Sequence, residues 1–254
     1  MLSEAELAAY REQGYVVPDF RLPEDALTEI RQAHTKLVAR QPQFADYCPT
    51  LLAYDLSFLN LAREPELLDM VEQILGPDFA LWNSSFFAKP ARVGSRTPWH
   101  QDGEYWPICP IATCSVWIAL DDSTPENGCL RVIRGSHRDK RLYRHHANNA
   151  AGLSLNQELD QSEYDERHAA DIVLKAGQVS LHDVYLVHGS EPNRSDKPRR
   201  GMTLRFMPTS SVFDRELAAR QVTDKELGVG HADRTLFLMR GRDRSGLNDF
   251  RLRH

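Results

Sequence analysis

From Phe79 onward the chain breaks into short runs rich in β-branched and aromatic residues: Phe79–Phe87, Thr113–Leu120, Cys129–Ile133, Ile172–Leu174, Val179–Leu181 and Gly201–Met207. Turn formers such as Asn127-Gly128, Ala176-Gly177 and Pro192-Asn193 separate them. Many short strands punctuated in this way predict an antiparallel sandwich or barrel. What precedes them reads as helical. Ser3 followed by Glu6 has capping-box spacing, and Gly14 ends that first segment. A second helix is expected from about Pro23 to Arg40, with Ala26, Ile30, Ala33 and Leu37 on one face. A third runs from Pro65 to Leu75 and stops at Gly76-Pro77.

The 254 residues show no repeat and no low-complexity linker, so one folding unit is expected. Its parts are a helical preface over 1–78, a strand-rich core over 79–208, and a charged, partly helical tail over 213–254. Within the core, 137–171 is long, polar and without strand pattern, which predicts a mobile lid. The Arg-rich end from Arg240 to Arg253 reads as a solvated face. A formal net charge of −5 leaves no basic surplus to neutralise phosphates, so neither nucleic acid nor an anionic membrane is an expected partner. The main basic cluster is Arg194, Lys197, Arg199 and Arg200. No apolar run approaches the roughly 20 residues that span a bilayer. Met1 to Arg11 is acidic and helical in character, unlike a signal peptide. Cys48, Cys109, Cys114 and Cys129 have no CxxC spacing, which suits reduced thiols and a cytoplasmic address.

Chemistry concentrates in Trp99-His100-Gln101-Asp102-Gly103 and Val187-His188-Gly189-Ser190. Strand residues i and i+2 share a face, so a His-x-Asp pair at a strand end points both side chains the same way. A distant His added to that pair gives two imidazoles and one carboxylate, the facial triad of non-haem iron(II). Its three open coordination positions suit a chelating co-substrate and O₂. His182 competes for the distal role, but reads more simply as a buried strand residue.

2-Oxoglutarate chelates iron through its C1 carboxylate and C2 carbonyl, so its far carboxylate needs a cationic anchor. A guanidinium fork meets that need. Arg199 is the eleventh residue after His188 and opens Arg199–Met207, where Arg199, Gly201, Thr203 and Arg205 share one face. Arg200, Met202, Leu204 and Phe206 share the other, as on a strand between a cavity and a packed core. Arg205 lies six residues beyond Arg199, about 20 Å along a straight strand at 3.3 Å per residue. That spacing assigns Arg205 to an acidic neighbour or to the primary substrate.

Taken in order, Gly14-Tyr15-Val16-Val17, Trp99-His100-Gln101-Asp102, Asn127-Gly128-Cys129-Leu130, Gly135-Ser136-His137, His188-Gly189-Ser190, Asn193 and Arg199 resemble the phytanoyl-CoA dioxygenase family of iron(II)/2-oxoglutarate oxygenases. Arg134 stands where many relatives have Pro before the Gly, a difference confined to one turn. The resemblance implies a double-stranded β-helix, a jelly-roll or cupin-like barrel, with iron on His100, Asp102 and His188. It implies 2-oxoglutarate on Arg199 and Ser190, with Gln101 and Trp117 contacting it. O₂ is the other co-substrate, and succinate and CO₂ are the by-products. Related halogenases carry a small residue at the position of Asp102, so its carboxylate points to hydroxylation.

Asn83, Tyr105, Trp106 and Arg205 are the candidate substrate residues. An aromatic pair beside a guanidinium suits a small polar substrate such as an amino acid, an aminophosphonate or a natural-product intermediate. A cupin-like hydrolase or isomerase using another divalent metal, and a non-catalytic small-molecule-binding barrel, are the rival readings.

Overall fold

The chain begins as its local signals dictate. In a computed structural model that describes residues 1–227 and 229–253, Ser3 caps α1 (Glu4–Gln13). The Glu6 carboxylate accepts from the Ser3 N–H at 2.7 Å while the Ser3 hydroxyl accepts from the Glu6 N–H at 3.3 Å. Gly14 closes the helix with φ 85°, and a Cβ there would fall 2.6 Å from the His137 ring. Helix α2 (Glu24–Arg40) buries Leu27, Ile30, His34 and Leu37. The expected stripe through Ala26 and Ala33 is therefore displaced by one position. Leu27 and His34 offer more surface to bury than the two alanines beside them. Two short helices, α3 (Leu51–Tyr54) and α4 (Leu59–Ala62), lead into α5 (Pro65–Leu75), which buries Leu67, Leu68, Met70 and Val71.

The strands β1 (Tyr15–Val16), β2 (Tyr47–Cys48), β3 (Phe79–Lys89), β6 (Cys114–Ala119), β11 (Val179–Asp183), β13 (Arg199–Pro208) and β15 (Phe237–Arg240) form a seven-stranded antiparallel sheet. Its order is β1-β11-β6-β13-β3-β15, with β2 paired beside β3. A four-stranded antiparallel sheet has the order β10-β7-β12-β4, built from β4 (Thr97–His100), β7 (Leu130–Ile133), β10 (Ala169–Ile172) and β12 (His188–Ser190). β5 (Ile108–Cys109) pairs with β14 (Val212–Phe213), and β8 (His145–Ala147) with β9 (Gln157–Leu159). The architecture is mostly antiparallel sheet with flanking helices. Among the described residues the two larger sheets stay separate and do not close into a barrel.

The core lies between the large sheet and the helices. Met202, Leu204 and Phe206 on β13 join Val116 and Ile118 on β6, Phe86 on β3, and Leu27, Leu37, Leu67 and Met70 of the helices in one cluster. The other face of the large sheet carries the polar residues described below.

Two expectations about the connecting regions change. The segment 137–171 contains the hairpin β8–β9 and the start of β10, although its sequence shows no strand pattern. Register here is set by pairing and by side-chain contacts: the Gln157 amide donates to Lys225 O at 2.7 Å and the Asn156 amide to Glu226 O at 2.6 Å. The tail is folded back onto the sheet in part, while Arg242, Arg244 and Arg251 of its Arg-rich end stay exposed. It forms α6 (Arg215–Asp224) and β15, with Arg240 paired to Asp69 at 2.6 Å and Glu72 at 2.5 Å. Gly228 and His254, both within the expected tail, lie outside the described residues. No described helix is long and apolar enough to cross a membrane.

Candidate metal centre and adjoining cavity

β4 and β12 are neighbours in the smaller sheet, and their register places His100 directly opposite His188. The two rings lie 4.1 Å apart between centroids. After His100 the chain stays extended through Gln101 (φ −116°, ψ 128°) and then turns into a 3₁₀ helix that begins at Asp102. His100 and Asp102 thus flank one extended residue and face the same way. His100, Asp102 and His188 are all buried, and one ligand atom from each lies within 4.8 Å of the others.

Orientation of the rings follows from their outer nitrogens. His100 Nδ1 sits 2.8 Å from Pro98 O, and His188 Nδ1 2.9 Å from Leu186 O. Each Nδ1–H donates to its carbonyl, which fixes the tautomer and leaves Nε2 with a free lone pair. Burial, with the His100 ring alongside, holds His188 well below the ordinary imidazole value, so that ring stays neutral. Burial opposes charge on Asp102, but the His100 and His182 imidazoles outweigh it and hold the carboxyl well below the usual range. Asp102 Oδ1 accepts from the Tyr105 hydroxyl at 3.2 Å, whereas Oδ2 is enclosed with no hydrogen-bond partner. An orphaned carboxylate oxygen beside two imidazoles fits a divalent cation of intermediate softness.

His182, on β11, is also buried here. Its Nε2 lies 3.8 Å from Asp102 Oδ2, and its Nδ1 has no partner. It walls the same cavity as the triad without joining the set that converges on one point.

The opposite wall comes from the large sheet. Trp117 on β6 and Arg199, Thr203 and Arg205 on β13 line this small cavity of ≈ 40 Å³ together with Thr97 and Ser190. Arg199 is 3% exposed, and its guanidinium stacks 5.4 Å from the Trp117 ring centroid. Gly201 makes that packing possible, since a Cβ there would meet Trp117 Cζ2 at 2.1 Å. Arg199 Nη1 donates to Phe87 O at 2.9 Å, and Nε has no partner. Burial pulls this guanidinium down to about 10, still charged at neutral pH.

Arg200, beside Arg199 in the basic cluster, is instead paired to Asp121 at 2.7 Å. Lys89, next to Arg199 in register, donates to Ser95 O and to Glu191 O. Burial and then Arg199 pull its amine down to about 6.

A larger cavity of ≈ 430 Å³ adjoins the small one, and Asn83, Phe87, Tyr105, Trp106 and Arg205 are among its walls. Phe87 and Arg205 line both cavities. Arg199 and Arg205 therefore reach one space despite the straight-strand distance between them. The β3–β13 ladder carries a bulge at Arg205/Phe206. Among the described residues no carboxylate forms an ion pair with Arg205, although Asp102 lines the same small cavity. Arg205 Nη1 donates to the Ser85 and Thr203 hydroxyls.

Gln101 departs from expectation as well. Its amide donates to Arg141 O at 2.9 Å and Tyr185 O at 2.7 Å and accepts from the Tyr143 N–H at 2.8 Å, so it is engaged away from the cavity. His137 Nε2 lies 3.1 Å from Arg11 O, in a structural contact. Sequence reading misses Tyr47, Asn149 and His231, which also line the larger cavity. It also misses Arg234, which donates to Asn83 Oδ1 and Pro49 O. These come from the preface, the 137–171 segment and the tail, where no local pattern marks them.

The sequence profile of the family described as phytanoyl-CoA dioxygenase (PhyH) matches residues 2–201. A phytanoyl-CoA dioxygenase domain-containing protein 1 homolog of Dictyostelium discoideum is 33% identical over 152 residues, covering 59% of this chain and 54% of that protein. A probable alpha-ketoglutarate-dependent hypophosphite dioxygenase of Stutzerimonas stutzeri is 30% identical over 153 residues, covering 58% of this chain and 51% of its own. The chain thus matches about half the length of these relatives. Among solved structures, the non-heme monooxygenase ThoJ in its apo form superposes with a TM-score of 0.73 at 25% identity, over 96% of this chain and 87% of that one.

Proposed function

Because the chain belongs to the phytanoyl-CoA dioxygenase family, we propose that it is a mononuclear iron(II) oxygenase that consumes 2-oxoglutarate and O₂ and hydroxylates a small polar molecule. One observation carries this reading. The free nitrogens of His100 and His188 and the orphaned oxygen of Asp102 face the same cavity as Arg199, a buried guanidinium with an unpartnered Nε. A hydrolase or isomerase has no need of a second, anion-binding wall across from its metal ligands.

His100, Asp102 and His188 would hold the metal. Bound there, iron(II) supplies the oxygen chemistry that couples decarboxylation of 2-oxoglutarate to succinate and CO₂ with conversion of a substrate C–H to C–OH. Arg199 grips the far carboxylate of 2-oxoglutarate, and its charge is stronger in a site already stripped of water. The Ser190 hydroxyl, on β12 beside His188, adds a second donor in the same cavity. Trp117 keeps the guanidinium in plane and excludes water from behind it. Tyr105, donating to Asp102 Oδ1, leaves the other carboxylate oxygen to face the metal. The segment 137–171 covers the larger cavity through Asn148, Asn149 and Leu153 and acts as its lid.

The substrate is small. A cavity of ≈ 430 Å³ lies at the lower end of small-molecule sites, roughly 300–1,000 Å³, and its walls mix aromatic rings with several amide side chains. Adding iron(II) and 2-oxoglutarate without O₂ tests the reading. A weak visible charge-transfer band should form in the parent protein and be missing from Asp102→Ala. No band in the parent protein, or equal bands in both, overturns it.

A further inference from the structure

Arg205 is a buried cation that the metal site and the 2-oxoglutarate site leave unused. It is 6% exposed, stands on the cavity face of β13, and borders both the small cavity and the larger one. Its guanidinium is clamped between two rings, 5.1 Å from the Trp106 centroid and 5.7 Å from that of Phe87. Hydroxyls of Ser85 and Thr203 accept from Nη1, and Nε is enclosed without a partner. Among the described residues no carboxylate forms an ion pair with it, and the lining of the larger cavity contains no Asp or Glu. Among the described residues the one acid sharing a cavity with Arg205 is Asp102, whose charge the metal would take up.

Burying a guanidinium without a counter-charge costs several kcal/mol, so the missing anion has to come from a ligand. 2-Oxoglutarate does not supply it if Arg199 holds its far carboxylate, because the near one chelates the metal.

We propose that the primary substrate is a small acid whose carboxylate or phosphonate group pairs with Arg205 at the junction of the two cavities. This rests on the oxygenase reading for what happens to the acid, but not for its binding. The aromatic clamp fixes the plane of the fork, so the anionic group enters from the larger cavity and leaves its carbon chain directed toward the triad. A substrate ammonium is not required, since the described lining of the larger cavity carries no carboxylate to receive one.

Butyric acid, propylphosphonic acid and the neutral butyramide are suitable probes, titrated by calorimetry into the anaerobic iron(II) holoenzyme saturated with 2-oxoglutarate. At least one acid should bind roughly 10- to 100-fold more tightly than the amide. Which acid wins separates carboxylate from phosphonate recognition. Arg205→Gln should abolish the preference and leave butyramide unchanged, while Arg205→Lys, which keeps the charge if Gln disturbs folding, should retain part of it. Affinity for 2-oxoglutarate, measured separately, should fall with Arg199→Gln and stay within about threefold with Arg205→Gln. Acids that bind the parent protein no better than butyramide overturn the proposal, as does an Arg205→Gln variant that loses 2-oxoglutarate as Arg199→Gln does. The same probes titrated into metal-free protein read the preference without iron or 2-oxoglutarate, so failure of the oxygenase reading is scored independently.

Discussion

Alternate residues of β13 meet two different environments at nearly equal depth. Met202, Leu204 and Phe206 are wholly buried against the helices, and Arg199, Thr203 and Arg205 are 3%, 3% and 6% exposed on the other side. On the first face burial itself is the stabilising contribution, at about 25 cal/mol per Å² of apolar area. On the second, burial works against the fold, because two guanidinium groups lose water and find only hydroxyls, a carbonyl and aromatic rings in exchange. The helical side can carry that cost because its apolar cluster is extensive. Stability and ligand binding are thus assigned to opposite faces of one strand, and substitutions should separate them.

The sharpest separation lies at the metal ligands. Asp102→Ala or His188→Ala should reduce turnover at least about 1,000-fold, since each removes one of the three groups proposed to hold the metal. Thermal stability of the apoprotein should change little in the same variants. If His182→Ala abolishes turnover while His188→Ala preserves it, the distal ligand is misassigned.

Next comes Arg199→Ala. Removing a charge-assisted anchor costs about 2–4 kcal/mol, so the KM for 2-oxoglutarate should rise roughly 30- to 1,000-fold. On the opposite face, Leu204→Ala should lower stability by about 2–5 kcal/mol and leave the KM of the folded protein near the parent value. A reversed outcome, with Arg199→Ala unfolding the protein and Leu204→Ala raising KM, would break the division of labour.

The smallest effect expected is acid sensitivity on the helical face. Burial, then Arg200, pulls His34 down from 6.5 to about 4. The folded protein keeps this ring neutral where the unfolded chain takes up a proton. The unfolded state therefore binds more protons between those values, and stability falls as pH drops from 6.5 toward 4. The loss is at most about 3 kcal/mol, and urea titrations of His34→Leu should show a shallower fall over that range.

Local signals were legible. The Ser3–Glu6 box, the stop at Gly14 and the alternation along Arg199–Met207 each depend on residues within a turn or a strand of one another. The ligand-bearing strands were legible only through their chemistry, because Thr97–His100 and His188–Ser190 are too short and too poor in β-branched residues to announce themselves. For Arg205 the sequence left two partners open, an acidic neighbour or the substrate, because the hydroxyls and rings that surround it come from β3, β13 and the turn after β4 and carry no local pattern. Gln101 was misjudged because its direction is set by Arg141, Tyr143 and Tyr185, dozens of residues away. Tyr47 and His231 meet at the cavity, and Arg234 reaches the cavity residue Asn83, by tertiary packing alone.

Gln101 has one more consequence. It sits between two metal ligands, and its backbone N–H donates to His145 Nε2 at 2.9 Å while its side chain holds the backbone of Arg141 and Tyr143. The covering segment is therefore fastened to the peptide that carries the ligands. If the segment opens as the proposed lid, it must break those bonds and slacken His100 and Asp102 together. By thermodynamic reciprocity, whatever free energy the metal contributes to holding the cover shut, the closed cover returns as affinity for the metal. Iron exchange and access for substrate would then share one rate-limiting motion, and a chelator would strip the metal only as fast as the cover lifts.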